Sequence, residues 1–209
     1  MIALHRVATD RGEVAVDLHR ADGSVSYRKG DAFQTRVDAQ GRNLARHIDE
    51  AVDLFVRDGA RRVLVLGYGG GMASTLLRRK GVVVEAVDCD PCAEALARLF
   101  FRAPPDLNVT VADAWDYVRA APSASVDGVL VDIQDSEVTP PAYRSLAFWR
   151  DVARLIRMGG LAVLNVVDSL FDSADWADVR KALAAAGLDT AAISDDFGQG
   201  NRLLVTAAD

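Results

Sequence analysis

The run Val63-Leu-Val-Leu-Gly-Tyr-Gly-Gly-Gly71 decides the fold, because four consecutive apolar residues lead directly into a glycine-rich loop. Valine and leucine in an unbroken row are typical of a strand that is buried on both faces. Glycines after such a strand let the backbone turn sharply and approach a ligand closely. The helical spacing of residues 72–80 then predicts a helix whose amino end presents unpaired N–H groups to the loop. The run therefore predicts a strand, a ligand-binding loop and a helix.

Strands and helices alternate in the same way along the rest of the chain. Apolar runs predict further strands at 82–87, 109–111, 126–131 and 161–167, and helical spacing predicts helices at 91–102, 114–120 and 142–158. The tail predicts a helix at 174–186 and an antiparallel pair of strands at 190–194 and 202–206, joined by Gly198-Gln-Gly200. Parallel strands need crossovers that helices usually provide. We therefore expect an α/β fold with a Rossmann-like, seven-stranded, mostly parallel sheet and helices on both faces.

A small antiparallel element is predicted before this sheet. Residues 13–19 and 25–28 alternate apolar and polar positions around the turn-forming pair Asp22-Gly23, which is typical of a β-hairpin. Residues 32–37 predict a weaker further strand, and residues 43–58 predict a helix with one buried stripe. We therefore divide the chain into an N-terminal β-hairpin element at 1–40 and a Rossmann-like catalytic domain at 41–209.

Composition and charge exclude several classes of protein. The 209 residues are 50% hydrophobic and 26% charged, with a net charge of −6. Proteins that bind nucleic acid through its phosphates normally carry a basic excess, so we expect no nucleic-acid partner. No stretch approaches the roughly 18 apolar residues of a spanning helix, and the start lacks the residue order of a signal peptide. We therefore expect a cytoplasmic protein without a membrane partner.

Acidic residues follow the predicted strands one after another. Asp88 comes about twenty residues after the glycine loop, where an acid can accept hydrogen bonds from ribose hydroxyls. Asp113, Asp132 and Asp135 follow the next two strands. Ligands of open α/β sheets bind at the carboxyl ends of the strands, so these acids should surround one pocket. Such a pocket would repel a pyrophosphate and suit a positively charged nucleoside, of which S-adenosylmethionine is the common example.

The glycine loop supports the same interpretation. It lacks the lysine and hydroxyl residue of a triphosphate-binding loop, because Gly71 is followed by Met72-Ala73. Its spacing, G-x-G-G-G, also differs from the G-x-G-x-x-G of pyrophosphate binders. We therefore expect S-adenosylmethionine as the cofactor, and no metal.

Five segments carry a resemblance to a known family: residues 63–71, 87–91, 111–114, 127–135 and 158–166. Together they resemble the spermidine synthase-like branch, the polyamine aminopropyltransferase-like branch, of the class I S-adenosylmethionine-dependent methyltransferase fold. The resemblance runs roughly from Gly12 to the end of the chain. It implies a transferase that moves an alkyl group to a small-molecule acceptor. Dimers are common among proteins of this resemblance, so a homodimer is one expected assembly.

The resemblance also implies roles for individual residues. It implies that the methionine part of the cofactor faces Gly67, Gly69 and Gly71. It also implies that the ribose faces Asp88 and that Asp113 and Ala114 flank the adenine. Asp132 and Asp135 match the family's D-x-x-D, whose second acid assists deprotonation of an attacking amine, so Asp135 is the expected base. Gln34 is similar to the glutamine that reaches the cofactor from the N-terminal hairpins. We further expect Tyr68, which has little core to join, to cover the ligand, and Cys89 to line the adenosine pocket.

Three departures from the family pattern bear on the reaction. The loop position that usually holds an acid, which binds the free amine of decarboxylated S-adenosylmethionine, is Gly70 here. The tyrosine and glutamate that bind the polyamine have no match in residues 41–50, and residues 136–140 do not reproduce D-P-x-G-P. These departures favour the undecarboxylated donor, and therefore methyl transfer over aminopropyl transfer.

Other interpretations remain open. The protein could bind an adenosine ligand without turnover, as a non-catalytic relative of the aminopropyltransferases. Cys89-Asp-Pro-Cys92 has the spacing of a redox pair at a strand-to-helix junction, which would suit a redox protein. Asp132 and Asp135 could simply cap a helix or solvate a loop. For His47 we expect a surface or packing role.

Overall fold

The glycine-rich loop joins the central strand of a large sheet to a helix, as the sequence predicts. A computed structural model describes residues 1–9, 12–30, 32–135, 139–167, 175–193 and 200–208. The strands are β1 (Ile2–Thr9), β2 (Gly12–Leu18), β3 (Val25–Lys29), β4 (Ala32–Val37), β5 (Arg62–Leu66), β6 (Val83–Asp88), β7 (Val109–Val111), β8 (Val126–Val131), β9 (Ile156–Val167), β10 (Leu188–Ile193) and β11 (Asn201–Ala208). The helices are α1 (Arg46–Arg57), α2 (Met72–Arg79), α3 (Ala93–Phe100), α4 (Ala114–Ala120), α5 (Leu146–Leu155) and α6 (Asp175–Ala185).

The large sheet has seven strands in the order β10-β11-β9-β8-β5-β6-β7. The pairs from β9 through β8, β5 and β6 to β7 are parallel, whereas β11 is antiparallel to both β9 and β10. This confirms the predicted α/β fold with a seven-stranded, mostly parallel sheet and an antiparallel final pair. The strand order reverses between β5 and β8, and ligands of open α/β sheets bind at such a switch point.

A separate four-stranded antiparallel sheet, in the order β1-β2-β3-β4, precedes the large one. The hairpin of β2 and β3 is present, with Asp22 and Gly23 between the two strands, and β4 confirms the weaker predicted strand. The sequence prediction missed β1. Because β1 is an edge strand whose residues are mostly exposed, its side chains carry no alternation of buried and exposed positions to reveal it.

The two faces of the large sheet bury different sets of side chains. Val63 and Val65 of β5 pack on one side with the buried face of α1, which includes Phe55. Leu64 and Leu66 pack on the other side with side chains of α5. Buried residues of the small sheet join the first side: Val14, Val16, Tyr27 and Val37. The small sheet is therefore packed on the same core that carries the glycine loop.

Two details differ from the sequence prediction. The helix predicted at 142–158 is a 3₁₀ turn, Pro141–Arg144, followed by α5, and Ser145 between them accepts a hydrogen bond from the Phe148 amide at 3.3 Å. Residues 156–158 belong to β9, because Ile156 pairs with Val126 of β8. Most of the predicted link Gly198-Gln-Gly200 lies outside the described residues. None of the described helices has the length and apolar character needed to cross a membrane.

Candidate active site

A cavity of about 340 Å³ lies at the carboxyl ends of β5, β6 and β8. Residues of β3, β4 and the start of α1 line it from the side of the small sheet. Two exposed apolar side chains, Phe33 (55% exposed) and Leu44 (37% exposed), are among the lining residues. The cavity therefore combines the switch point of the large sheet with a wall built by the N-terminal part of the chain.

Gly67 brings the glycine loop against the end of β8. Its φ is +89°, and a Cβ placed there would lie 2.1 Å from the carbonyl oxygen of Asp132. The Asp132 amide donates to the Leu66 carbonyl oxygen at 2.8 Å. Only glycine fits this close approach of two backbones, which explains why the strand ends in this residue type.

Asp88, the last residue of β6, lines the cavity and also orders the loop. Its Oδ2 accepts hydrogen bonds from the amides of Tyr68 at 2.8 Å and Gly69 at 3.0 Å, and its Oδ1 accepts one from the Asp90 amide at 2.8 Å. Each carboxylate oxygen offers about two acceptor sites. One site on Oδ1 therefore remains for a ligand hydroxyl, where the sequence argument expected contacts to two ribose hydroxyls.

The small sheet holds the middle of the glycine loop. The Gly70 amide donates to the Thr35 hydroxyl at 3.0 Å. A Cβ on Gly70 would lie 2.7 Å from each of Cβ, Cγ2 and Oγ1 of Thr35, so Thr35 fills the space that any side chain at position 70 would need. Gln34 lies beside Gly69 and lines the cavity, and no described residue bonds its buried Nε2. The structure thus places Gln34 in the cavity wall beside the glycine loop, and its expected contact with the cofactor stays a prediction.

Tyr68 has a core to join, contrary to the argument from sequence. Its side chain is 5% exposed and packs with Ala86, Ala93 and Ala97, although the residue also lines the cavity. Burial raises the pKa of the Tyr68 phenol to about 12, and among the described residues its hydroxyl has no hydrogen-bond partner. Gly71 precedes α2 and packs against this ring, because a Cβ there would lie 2.5 Å from the Tyr68 hydroxyl.

Both carboxylate oxygens of Asp113 accept hydrogen bonds from within the protein. Its Oδ1 accepts hydrogen bonds from the amides of Trp115 at 2.8 Å and Asp116 at 3.2 Å, which caps α4. Its Oδ2 accepts one from the Tyr143 hydroxyl at 2.8 Å. Ala114 and Tyr143 line the cavity, but Asp113 is not part of the wall that the described residues form. Asp113 therefore places its neighbours at the cavity instead of facing it.

The two cysteines have different surroundings. Cys89 lines the cavity, whereas Cys92 begins α3 and packs against the core. Neither is in a disulfide bond. In the part of the chain that the structure describes, no three His, Cys, Asp or Glu side chains meet in a way that could hold a metal ion.

The structure separates the two acids that the sequence paired. Asp132 is half-buried and lines the cavity, whereas Asp135 is exposed and takes no part in the described cavity wall. The Nδ2 of Asn165 donates to Asp132 Oδ1 at 2.7 Å. Burial raises the pKa of the Asp132 carboxyl, and the charge of His47 and the hydrogen bond from Asn165 offset part of this effect. Asp132 is thus the carboxylate of the D-x-x-D pair that faces the cavity.

Several residues of the cavity were not singled out from the sequence. His47, expected at the surface or in packing, lines the cavity close enough for its charge to act on Asp132. Asn165 and Asn201 also line it. Asn165 lies near the carboxyl end of the predicted strand 161–167, so the strand-end rule that selected the acids would have found it too. His47 precedes the first strand of the large sheet, where that rule gives no signal.

Comparison with known proteins gives the following relatives. No protein-family model matches the chain. A polyamine aminopropyltransferase of Mycobacterium tuberculosis is 36% identical over 155 residues, which are 66% of this chain and 29% of that relative. The match therefore spans less than a third of the length of this relative.

Solved structures share the fold over most of the chain. A probable spermidine synthase from Corynebacterium glutamicum matches 97% of this chain and 79% of its own, with a TM-score of 0.79 and 18% identity. A spermidine synthase in complex with the transition state analogue AdoDATO matches 100% of this chain and 74% of its own, with a TM-score of 0.78 and 13% identity. A Burkholderia thailandensis 1,6-didemethyltoxoflavin-N1-methyltransferase has S-adenosylhomocysteine bound. It matches 78% of this chain and 79% of its own, with a TM-score of 0.58 and 19% identity.

Strand order, loop and structural neighbours together define the class: the chain has the class I S-adenosylmethionine-dependent methyltransferase fold. Within that fold it is similar to polyamine aminopropyltransferases and spermidine synthases, which supports the resemblance that the sequence carries.

Proposed function

We propose that this protein transfers a methyl group from S-adenosylmethionine to a small nucleophile, with Asp132 taking the proton of that nucleophile. The observation that carries the proposal is the position of Asp132 at the switch point. Its backbone touches Gly67 of the glycine loop, and its carboxyl group lines the same cavity. A donor held by the loop and an acceptor held by Asp132 would therefore meet in one place.

The residues present fit an adenosyl ligand. The cavity volume of about 340 Å³ lies within the range of small-molecule sites. Asp88 keeps one acceptor site for a ribose hydroxyl, and Gly67, Gly69, Cys89 and Ala114 would line the nucleoside. When bound, S-adenosylmethionine supplies an electrophilic methyl group next to its sulfonium. Structural neighbours with AdoDATO and with S-adenosylhomocysteine support this class of ligand.

Asp132 is better placed than Asp135 to act as the base. Its Oδ1 is held by Asn165, and no described residue donates a hydrogen bond to its Oδ2. The raised pKa of Asp132 brings its basicity closer to that of an attacking amine or hydroxyl group. Asp132 Oδ2 would take the proton as the nucleophile attacks the methyl carbon and the carbon–sulfur bond breaks. Asp135, which is exposed, would remain outside this step.

The contact between Gly70 and Thr35 supports the undecarboxylated donor. In the aminopropyltransferases that the sequence resembles, an acid at this position holds the free amine of the decarboxylated donor. Here Thr35 occupies the space beside Gly70, so an acidic side chain does not fit without displacing it. Aminopropyl transfer is the second candidate, because the curated relative at 36% identity is a polyamine aminopropyltransferase.

Calorimetric titration with S-adenosylmethionine, its decarboxylated form and methylthioadenosine tests the donor. We expect the tightest binding for S-adenosylmethionine. Preference for the decarboxylated form would instead support aminopropyl transfer, and absence of binding to all three would contradict the whole proposal. The double variant Thr35→Gly/Gly70→Asp sharpens the test. It frees the space and adds the acid, so its preference should move toward the decarboxylated donor, whereas Gly70→Asp alone should weaken both.

The product formed distinguishes the two reactions. Methyl transfer releases S-adenosylhomocysteine, whereas aminopropyl transfer releases methylthioadenosine. We would incubate each donor with a panel of small amines and phenols that includes putrescine, and identify the nucleoside product.

Asp132→Asn should keep donor binding and lose turnover by about 100-fold or more, as expected for loss of a general base. The matched variant Asp135→Asn should keep turnover, and the opposite result would return the role to Asp135. Donor binding without any product would favour a non-catalytic relative.

A further inference from the structure

Three hydrogen-bonded side chains, Asp132, Asn165 and Asn201, lie in a row across neighbouring strands of the large sheet. Asn165 on β9 is 2% exposed, and its Nδ2 lies 2.7 Å from Asp132 Oδ1 after β8. Asn201 at the start of β11 donates from its Nδ2 to Asn165 Oδ1 at 3.1 Å. These strands are neighbours in the sheet, and all three residues line the cavity. This row of hydrogen bonds thus ends at Asp132, the carboxylate of the D-x-x-D pair that faces the cavity.

Which of these side chains donates and which accepts depends on the orientation of the Asn165 amide group. The two ends of an asparagine amide have almost the same shape, so packing alone does not decide which end faces Asp132. The Asp132 carboxylate supplies the constraint, because it accepts hydrogen bonds only, and Asn201 reinforces it by donating from its Nδ2 to the Asn165 oxygen. The Asn165 amino group is then directed to Asp132, where it donates to a carboxylate oxygen.

We propose that Asn165, oriented by Asn201, is a positioning residue that holds one oxygen of Asp132 so that the other is presented to the acceptor. This rests on the proposed function, in which Asp132 is the base. A carboxyl group rotates about its Cβ–Cγ bond unless a partner holds one oxygen. With Oδ1 bonded to Asn165, Oδ2 remains as the oxygen to which no described residue donates. The acceptor would therefore meet one defined lone-pair direction, which is what an aligned proton transfer requires.

The same hydrogen bond acts on the charge of Asp132. A bond donated to a carboxylate favours its ionised form, so Asn165 works against the burial that raises the pKa of Asp132. Two other titratable side chains act on this group. The charge of His47 on α1 lowers the pKa of Asp132, and the negative charge of Asp88 at the end of β6 raises it. Removal of the Asn165 donor should therefore raise the pKa of Asp132 further, with His47 and Asp88 unchanged.

The test is a direct titration of Asp132 in the whole protein, which needs no acceptor. We would follow the ¹³C resonances of the aspartate carboxyl groups with pH and assign that of Asp132 by its loss in Asp132→Asn. Asn165→Leu keeps the approximate size of the side chain and removes the donor. It should move the titration midpoint of Asp132 up by about one pH unit, as expected for loss of a hydrogen bond to a charged group. The exposed Asn108 provides the matched control, and Asn108→Ala should leave the midpoint unchanged.

Asn201→Ala is the second variant, because Asn165 is buried in the sheet and its replacement could prevent folding. Asn201 is only half-buried, and its loss should free the Asn165 amide to turn and move the Asp132 midpoint upward by a smaller amount. An unchanged midpoint in every variant that folds, judged by circular dichroism, would overturn the proposal. A shift in Asn165→Leu without one in Asn201→Ala would overturn the orienting role of Asn201.

Kinetics then separate this inference from the proposed function. With a working acceptor, Asn165→Leu should move the acidic limb of the kcat–pH profile upward and lower kcat by about tenfold, while the KM for the donor stays the same. A purely structural role would leave the pH limb in place. If Asp132→Asn retained turnover, the proposed function would fail, but the NMR midpoints would still decide whether Asn165 and Asn201 hold the Asp132 carboxyl group.

Discussion

Gly67 offers a test of how closely the two strand ends at the switch point approach each other. A Cβ at this position would lie 2.1 Å from the Asp132 carbonyl oxygen, at a φ of +89°. Gly81 has a similar φ of +84° and nothing within 4 Å of the position of a Cβ. Gly67→Ala and Gly81→Ala therefore share the cost of a left-handed backbone and differ in the overlap alone.

The expected magnitudes follow from these contacts. A residue with a Cβ in the left-handed region costs about 1–2 kcal/mol. In a chain of this size that cost lowers the melting temperature by about 2–8 °C, which is our expectation for Gly81→Ala. In Gly67→Ala the Asp132 carbonyl must also retreat by more than an ångström to reach the 3.4 Å of an ordinary contact. We expect a total loss of about 4–5 kcal/mol, or about 8–20 °C in melting temperature.

Thermal unfolding followed by circular dichroism measures both variants. Calorimetric titration with S-adenosylmethionine should show that Gly81→Ala keeps donor binding and that Gly67→Ala loses it, since the loop and the end of β8 can no longer approach. Equal losses of melting temperature in the two variants, with donor binding retained in both, would refute the argument that close approach of the two backbones builds the site.

Three further predictions concern charged and hydroxyl groups in the same fold. The Tyr27 hydroxyl donates to the buried Asp90 carboxyl at 3.2 Å, so Tyr27→Phe should lower the free energy of unfolding by about 1–3 kcal/mol in chemical denaturation. Asp17 is fully buried and Arg28 bonds its Oδ2 at 2.9 Å, so Arg28→Ala should cost about 2 kcal/mol in the same assay. Asp132→Asn should raise the melting temperature at pH 8, with a gain that disappears near pH 4.

The sign of the last prediction comes from proton binding. The folded protein raises the pKa of Asp132, so it binds this proton more tightly than the unfolded chain does, whose carboxyl group titrates near about 3.9. Stability from this group is present below that pH and is lost as the pH rises through the folded pKa. Asparagine stays neutral and still accepts the bond from Asn165. A lower melting temperature of Asp132→Asn at pH 8 would contradict the argument.

Less buried pairs provide the controls for the Tyr27 and Arg28 predictions. Tyr117 donates to Glu85 at 2.9 Å in a part-buried position, so Tyr117→Phe should cost less than Tyr27→Phe. Arg57 and Glu50 form a pair at 2.6 Å with side chains 65% and 41% exposed, so Arg57→Ala should leave the denaturation midpoint nearly unchanged. If each control lost as much stability as its buried counterpart, burial would not be the cause.

The parts of the fold that the sequence predicts are those with strong local patterns. The strands 63–66, 109–111 and 126–131 were placed within a residue of their bounds, because valine and leucine dominate each of these short segments. The order of glycine loop, Asp88 and Asp132 was readable because each follows a strand directly. By contrast, β1 has no buried face along most of its length, and the end of α5 depends on the pairing of Ile156 with Val126.

The site was only partly predictable for a related reason. Spacing places Asp113 and Asp135 at strand ends, but it does not say what their carboxyl groups bond. The Asp113 carboxyl group caps α4 and accepts a hydrogen bond from Tyr143, and Asp135 is exposed and is not among the described residues that line the cavity. Tyr68 packs in a cluster with four alanines and Leu107, and two of these alanines, Ala93 and Ala97, lie on α3, 25 or more residues further along the chain. Such partners are distant in sequence and leave no local signal.

The sequence by itself therefore determined the alternation of strands and helices, the glycine loop and the series of acids at strand ends, because these depend on periodicity and on residue types that are close along the chain. Only the tertiary structure decided which acid faces the cavity and that Thr35 fills the space beside Gly70. It also decided that Asn165 hydrogen-bonds Asp132 and that Asn201 hydrogen-bonds Asn165. The physical reason is that a side chain's protonation, orientation and access depend on hydrogen bonds and burial supplied by strands far apart in sequence.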